Sequence, residues 1–191
     1  MMITRRRITC ICSVKMRLFI ALDLSPEVKD YLFDLERKMN APVAKVKWVS
    51  KKHLHLTLKF LSEVPESRIP EIVERLSKIK KRSIKVRLSG VGFFPNERNI
   101  KVIWVGIQPE DEVCRIQQEV DGELLGMFSD DQRFDPHLTL GRVKSVRRND
   151  DFLKMLKGIQ VKPLEFEFSG LKLYQSILKG ATQEYVCLKE F

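Results

Sequence analysis

Long apolar runs are missing from this chain. No stretch is long enough to cross a bilayer as a helix, so no membrane span is expected. Cysteine is sparse, at four residues. Cys10 and Cys12 stand near the N-terminus, and Cys114 and Cys187 stand alone, without the paired spacing of a zinc site. That pattern fits structural thiols in a reducing cytoplasm and excludes a disulfide framework. There is no glycine-rich phosphate loop and no dinucleotide fingerprint. Gly90 and Gly92 lack the third glycine and a following helix, and they read as a turn. No cluster of carboxylates is present to hold a metal ion, and no clear linker divides the chain. The first fifteen residues lack any acid but carry Arg5, Arg6, Arg7 and Lys15. The apolar stretch 8–14 is too short for a targeting segment and no small-residue cleavage site follows it. Residues 1–15 therefore read as an N-terminal extension, with Met16 the expected natural start and 16–191 a single domain.

Positive charge is abundant. The 191 residues carry a net charge of +10, which suits a polyanionic partner without naming one. Apolar residues make up 43%, enough for a real core.

Strand and helix signals interleave. Residues 17–24 alternate as a strand, and Ser25, Pro26 and Glu27 form a helix start: a capping hydroxyl, a first-turn proline and an acid at the positive helix end. Val28, Tyr31, Leu32, Leu35 and Met39 then recur at helical spacing. A short strand is expected over 46–49, a helix around Ile69, Ile72, Val73, Leu76 and Ile79, and strands over 84–89 and 101–107 separated by a loop at 90–99. A third helix is expected over 111–125, a polar loop over 128–136, a short helix over 149–157, and strands over 164–168, 171–174 and 185–188.

One tetrapeptide occurs twice. His-Leu-Thr-Leu stands at 55–58 and again at 137–140. Both copies alternate like half-buried strands, so His55 and Thr57 share one face and His137 and Thr139 share another, about 6.5–7 Å apart along each strand. Brought together, two imidazoles and two hydroxyls would surround one small volume. A lone histidine on a strand is most often structural; the second copy reverses that reading.

With its flanks, the doubled motif resembles the 2H phosphoesterases, and among them the RNA 2′,3′-cyclic phosphodiesterases, also called 2′-5′ RNA ligases. The flanks that carry the resemblance are Arg17 to Leu22, Trp48-Val49, and Phe134-Asp135-Pro136 before the second copy with Gly141-Arg142 after it. The resemblance runs from about Met16 to the C-terminus. It implies an α+β fold of two pseudo-symmetric lobes, each an antiparallel sheet backed by helices, around a central cleft. It also implies a substrate, RNA ending in a 2′,3′-cyclic phosphate, with tRNA fragments among the candidates, opened to a 2′-phosphate. By the same resemblance His55 is the proton donor to the departing 3′ oxygen and His137 the proton acceptor from water; the residues alone do not separate these roles. Histidine titrates near neutrality, so the pair suits either role. Thr57 and Thr139 supply hydroxyls for the phosphoryl oxygens. No cofactor or metal is needed, and a cytoplasmic monomer is expected. The reverse reaction would join a cyclic end to a 5′-hydroxyl without ATP.

Four further residues are candidate substrate contacts. Arg142 lies five beyond His137; parity puts it on the opposite face, whereas a bulge at Gly141 would turn it onto a phosphate. Lys59, four beyond His55, should share its face. His53 borders the cleft or touches phosphate; as half of a metal pair it lacks a third convergent ligand. Phe19 either stacks on a terminal base or packs in the core. Trp48 reads as core. Two rival readings are an RNA end-trimming nuclease of the same superfamily and an RNA-binding module without catalysis.

Overall fold

A computed structural model describes residues 14–129, 133–168, 170–180 and 182–191. The first half contributes β1 (Lys15–Asp23), α1 (Pro26–Lys38), β2 (Ala44–Trp48), β3 (His55–Pro65), α2 (Ile69–Leu76) and β4 (Ile84–Asn96). The second contributes β5 (Asn99–Gln108), α3 (Asp111–Glu123), β6 (His137–Val146), α4 (Asn149–Lys157), β7 (Glu165–Phe168), β8 (Leu171–Lys179) and β9 (Thr182–Glu190). Residues 1–13 of the expected extension lie outside the described residues. Lys15, which the sequence places in that extension, opens β1 opposite Pro65.

The strands form one antiparallel sheet in the order β7-β4-β5-β6-β3-β1-β8-β9, with β2 beside β6. It divides into two leaves. In each, the motif strand pairs with the strand that opens its own half: β3 with β1, and β6 with β5. The halves then exchange arms, because β4 crosses to β5 and β8 crosses to β1. The two leaves meet between the motif strands, at the single antiparallel pair Leu56–Leu138. The expected two-lobed α+β fold is the one observed.

One face of the sheet is sealed by helices. Val28, Leu32 and Leu35 of α1, Ile72 and Leu76 of α2, Val113, Ile116 and Val120 of α3, and Phe152 and Leu156 of α4 all join one apolar cluster with the inward residues of the strands. The cap of α1 is as expected: Ser25 Oγ accepts from the Val28 N–H at 3.4 Å and Pro26 opens the helix.

Two local expectations fail. Residues 90–99 are not a loop. β4 continues to Asn96 and turns at once into β5, with the Asn96 side chain accepting from the Arg98 and Asn99 N–H groups at 3.0 and 3.1 Å. A register shift between Leu88 and Val91 breaks the alternation there, which hides the strand from a period-2 reading. The C-terminal strands are likewise longer than 171–174 and 185–188, forming the β8–β9 hairpin. Its outer part is largely exposed, Leu178 at 69% among it, so no alternation marks it.

Glu36 sits uneasily in this core. It lies on α1 at 3% exposure, and its Oε1 has no hydrogen-bond partner. Burial pushes its carboxyl up to about 8. An acid whose folded-state value is raised holds its proton better folded than unfolded, so its contribution is complete in mild acid and is lost as pH rises towards about 8. Urea denaturation of Glu36→Gln beside the parent should give near-equal stabilities around pH 5 and a gap of roughly 1–3 kcal/mol in favour of the variant around pH 8. A gap that does not widen with pH would show that the carboxyl is not buried unpaired.

Candidate active site

The site is built on the reverse face of the Leu56–Leu138 pair. Both leucines are fully buried against the helices, so strand alternation sends His55 and Thr57, and His137 and Thr139, to the open face. The antiparallel register sets His55 towards Thr139 and Thr57 towards His137. The histidines are thus diagonal neighbours, roughly 7–8 Å apart at the backbone. All four side chains line one cavity of about 900 Å³. A second cavity of about 840 Å³ is lined by Glu110, Asp111, Glu165 and Glu167 beside Lys85 and Arg87, a wall that repels a phosphate.

Each ring is aimed by the same device. His55 Nδ1 lies 2.6 Å from the His53 carbonyl oxygen, and His137 Nδ1 lies 2.7 Å from the Asp135 carbonyl oxygen. A carbonyl only accepts, so Nδ1 carries the proton in both rings and Nε2 is the free atom. His55 Nε2 lies 2.9 Å from Thr57 Oγ1, which donates to it while the ring is neutral. Burial lowers both imidazoles, His55 to about 4, with the His53 carbonyl and Asp23 opposing. His137 is also lowered by burial, Asp135 opposes, and Arg142 adds to the lowering. Both rings are therefore neutral around pH 7 with the cavity empty.

The flanking residues are set by two matching bulges. Along β1–β3 the register runs from Ile20–Lys59 to Ala21–Thr57 and skips Leu58. Along β5–β6 it runs from Ile103–Gly141 to Trp104–Thr139 and skips Leu140. The extra residue is the last of each tetrapeptide, and it reverses the parity of everything after it. Arg142 thereby joins the face of His137 and Thr139 and lines the cavity. The expected bulge exists, one residue before Gly141. Gly141 is required for another reason: a Cβ there would meet the Trp48 ring and a Val46 methyl at 2.7 Å. Trp48 packs partly buried against the core through this contact.

Lys59 goes the other way. The bulge turns it off the face of His55 and towards α3, where its Nζ bonds Asp121 Oδ1 at 2.6 Å and the Ser129 carbonyl at 3.0 Å. Its charge is already neutralised, which corrects the expectation of a phosphate contact. Among the described cations lining the cavity, Arg17 is paired with Glu63 at 3.7 Å and Arg133 with Asp135 at 3.5 Å. Arg142 has no carboxylate at ion-pair distance among the described residues.

Phe19 is 3% exposed and offers no free face to a base. Its ring lies 5.0 Å from His55 and 5.2 Å from Tyr174, stacked on the latter, with the Tyr185 edge at 4.9 Å. It is the wall that desolvates His55. His53 occupies a 3₁₀ turn, not the strand, with its ring 4.5 Å from Tyr185 and its carbonyl on His55. Among the described residues no group of three His, Cys, Asp or Glu is placed to hold a metal ion. Cys114 and Cys187 are free thiols.

Sequence reasoning overlooked Tyr174 and Tyr185 beside His55, Phe94 and Trp104 beside His137, and Phe60. Phe94 meets the His137 ring edge-on at 4.9 Å, and Trp104 lies 6.0 Å from it across Gly92, where a Cβ would strike the indole at 2.2 Å. Phe60 was detectable: it follows His55 by the interval that separates Arg142 from His137.

The same halves appear in comparison with known proteins. The family model described as LigT like Phosphoesterase matches twice, at residues 22–104 and 105–182. The RNA 2′,3′-cyclic phosphodiesterase of Thermotoga maritima is 34% identical over 178 residues, covering 92% of this chain and 94% of the relative. The protein of that name from Methanocaldococcus jannaschii is 35% identical over 182 residues, covering 92% and 100%. A crystal structure of a Thermus thermophilus protein superposes with a TM-score of 0.76 at 30% identity, over 92% of this chain and 97% of that one. The Escherichia coli LigT structure complexed with 3′-AMP shares the fold at a TM-score of 0.74 and 23% identity, over 93% and 97%. Two matched copies, one around each histidine motif and together spanning most of the chain, show that it belongs to the LigT-like phosphoesterase family.

Proposed function

We propose that this protein is a hydrolase that opens the 2′,3′-cyclic phosphate at the end of RNA, leaving a 2′-phosphate, by acid–base catalysis between His55 and His137. The observation that carries the reading is the convergence of two Nε2 atoms on one cavity, each ring pinned by a carbonyl through Nδ1. Relatives named RNA 2′,3′-cyclic phosphodiesterase support the choice of substrate.

His137 is neutral and ready to act as base: its Nε2 takes a proton from water as the water oxygen bonds to phosphorus. The bond from phosphorus to the 3′ oxygen breaks, and His55 Nε2 gives that oxygen a proton. His55 must first be charged, which its burial opposes. The anionic substrate supplies the missing stabilisation, because a negative charge within a few ångströms favours imidazolium. Once Nε2 is protonated it no longer accepts from Thr57, whose hydroxyl is released to a phosphoryl oxygen, as Thr139 is on the other strand. Arg142 faces the remaining phosphoryl charge. A 5′-hydroxyl in place of water would form a 2′-5′ linkage with the same proton transfers and no ATP. The protein acts as a cytoplasmic monomer on this reading, on broken RNA such as tRNA fragments.

A short RNA with a 2′,3′-cyclic end, incubated with the protein in chelator, should yield a 2′-phosphate. His55→Ala and His137→Ala should each lower kcat/KM by about 10²–10⁴-fold while the circular dichroism and melting temperature hold. Near-parental turnover in both variants, or a 3′-phosphate product, would defeat the mechanism. Shortening of a plain 3′-hydroxyl oligonucleotide would instead favour end trimming.

The pH dependence has a definite sign. The productive free enzyme has one imidazolium and one imidazole, and burial lowers both groups. The bell in kcat/KM, which reports the free enzyme, should therefore peak on the acid side of histidine's usual 6.5. The bell in kcat, which reports the anion-bound enzyme, should lie at higher pH. A flat profile, or a kcat/KM maximum in alkali, counts against the pair.

Arg142→Ala should lower kcat/KM by roughly 10- to 150-fold, the loss of one charged hydrogen bond. Arg142→Lys should recover only part of it, since a point charge does not reproduce the guanidinium fork. An Arg142→Ala enzyme as active as the parent would remove the residue from the site.

A further inference from the structure

The two bulges impose a symmetry that the side chains break. Each motif strand continues past its extra leucine so that the residue five beyond the histidine turns back into the cavity. On β6 that residue is Arg142. On β3 it is Phe60, which pairs with Phe19 across β1–β3 and lines the same cavity. Phe60 is 55% exposed, whereas Phe19 beneath it is 3% exposed, with the ring centroids 6.1 Å apart. A large apolar ring held on a buried aromatic base, with a face in the cavity, is a stacking surface without an occupant from this chain.

The surroundings have the layout of a nucleotide. From the phosphate end at His55 and Thr57, the same face of this leaf passes over aromatic rings to a polar margin. Register places Arg17 on β1 opposite Ser176 on β8, and Gln183 of β9 donates to Ser176 Oγ at 2.6 Å. Arg17, Ser176 and Gln183 all line the cavity. Phosphate ligands, then an aromatic ring, then hydrogen-bonding side chains follow in the order of phosphate, base plane and base edge.

We propose that Phe60 is the platform on which the base of the terminal nucleotide stacks, and that Arg142 and Phe60 are the two unlike occupants of one duplicated position. This rests on the hydrolytic reading above. Stacking on an aromatic ring accepts every base, so Phe60 confers a preference for a base over none and not for one sequence.

The test compares adenosine 2′,3′-cyclic phosphate with methyl riboside 2′,3′-cyclic phosphate, which has the same ring and no base. The parent enzyme should favour the adenosine substrate, chiefly through KM. In Phe60→Ala the ratio of the two kcat/KM values should fall by roughly 5- to 150-fold, the worth of one base–aromatic stack. Phe60→Trp should keep the ratio, and a melting temperature should accompany each variant. If Phe60→Ala lowers both substrates alike, or neither, the ring is structural and the stacking proposal fails. A parent enzyme that opens neither substrate overturns the hydrolytic reading, and the stacking proposal falls with it.

Discussion

The whole site depends on one contact between the halves, the buried pair Leu56–Leu138. Only there do β3 and β6 meet; further along, β6 takes β2 as its neighbour and the two motif strands part. Burying two leucines contributes several kcal/mol by transfer alone, about 1.5–3 for each. Because strand side chains alternate, that burial also decides where the neighbouring residues point. The apolar pair locks the register, and a slip of one residue would carry both histidines into the core. Catalytic geometry is thus held by hydrophobic packing on the opposite face, not by bonds among the catalytic groups.

How far the sequence disclosed this can be judged residue by residue. The doubled tetrapeptide was legible because period-2 alternation is a local signal, and it correctly grouped each histidine with its threonine. The cap at Ser25 was legible for the same reason. Arg142 was half legible, since glycine pointed to an irregularity but not to its register. Lys59 was misread because the Leu58 bulge reverses parity without any glycine to mark it. The backing carbonyls of His53 and Asp135 were invisible: main-chain acceptors carry no residue identity. Phe19 failed for a different reason. An apolar ring is predicted equally by a core and by a stacking surface, and only its exposure separates them.

Burial of His55 has two consequences that pull in opposite directions. It strengthens every electrostatic contact in the cavity, and it discharges the imidazole that must act as acid. The conflict resolves only when an anion enters. The other described cavity cations are Arg17, Lys59 and Arg133, each held by its own carboxylate. The substrate phosphate is therefore left to Arg142, His55 and His137. The +10 net charge of the chain is a poor guide to this site, for most of its cations do not face it.

A duplicated scaffold creates a problem for an asymmetric reaction. In the proposed hydrolysis one histidine faces a departing oxygen that belongs to the nucleoside, and the other faces incoming water. The main chain treats the two alike, with equivalent bulges and equivalent carbonyls. Direction must then come from side chains at equivalent positions. Phe60 on the strand of His55 favours the nucleoside on that side, and Arg142 on the strand of His137 leaves the other side charged and wet. The assignment of acid and base follows from that inequality: the oxygen that leaves is the one attached to the sugar, so the proton donor is the histidine nearest the aromatic surface.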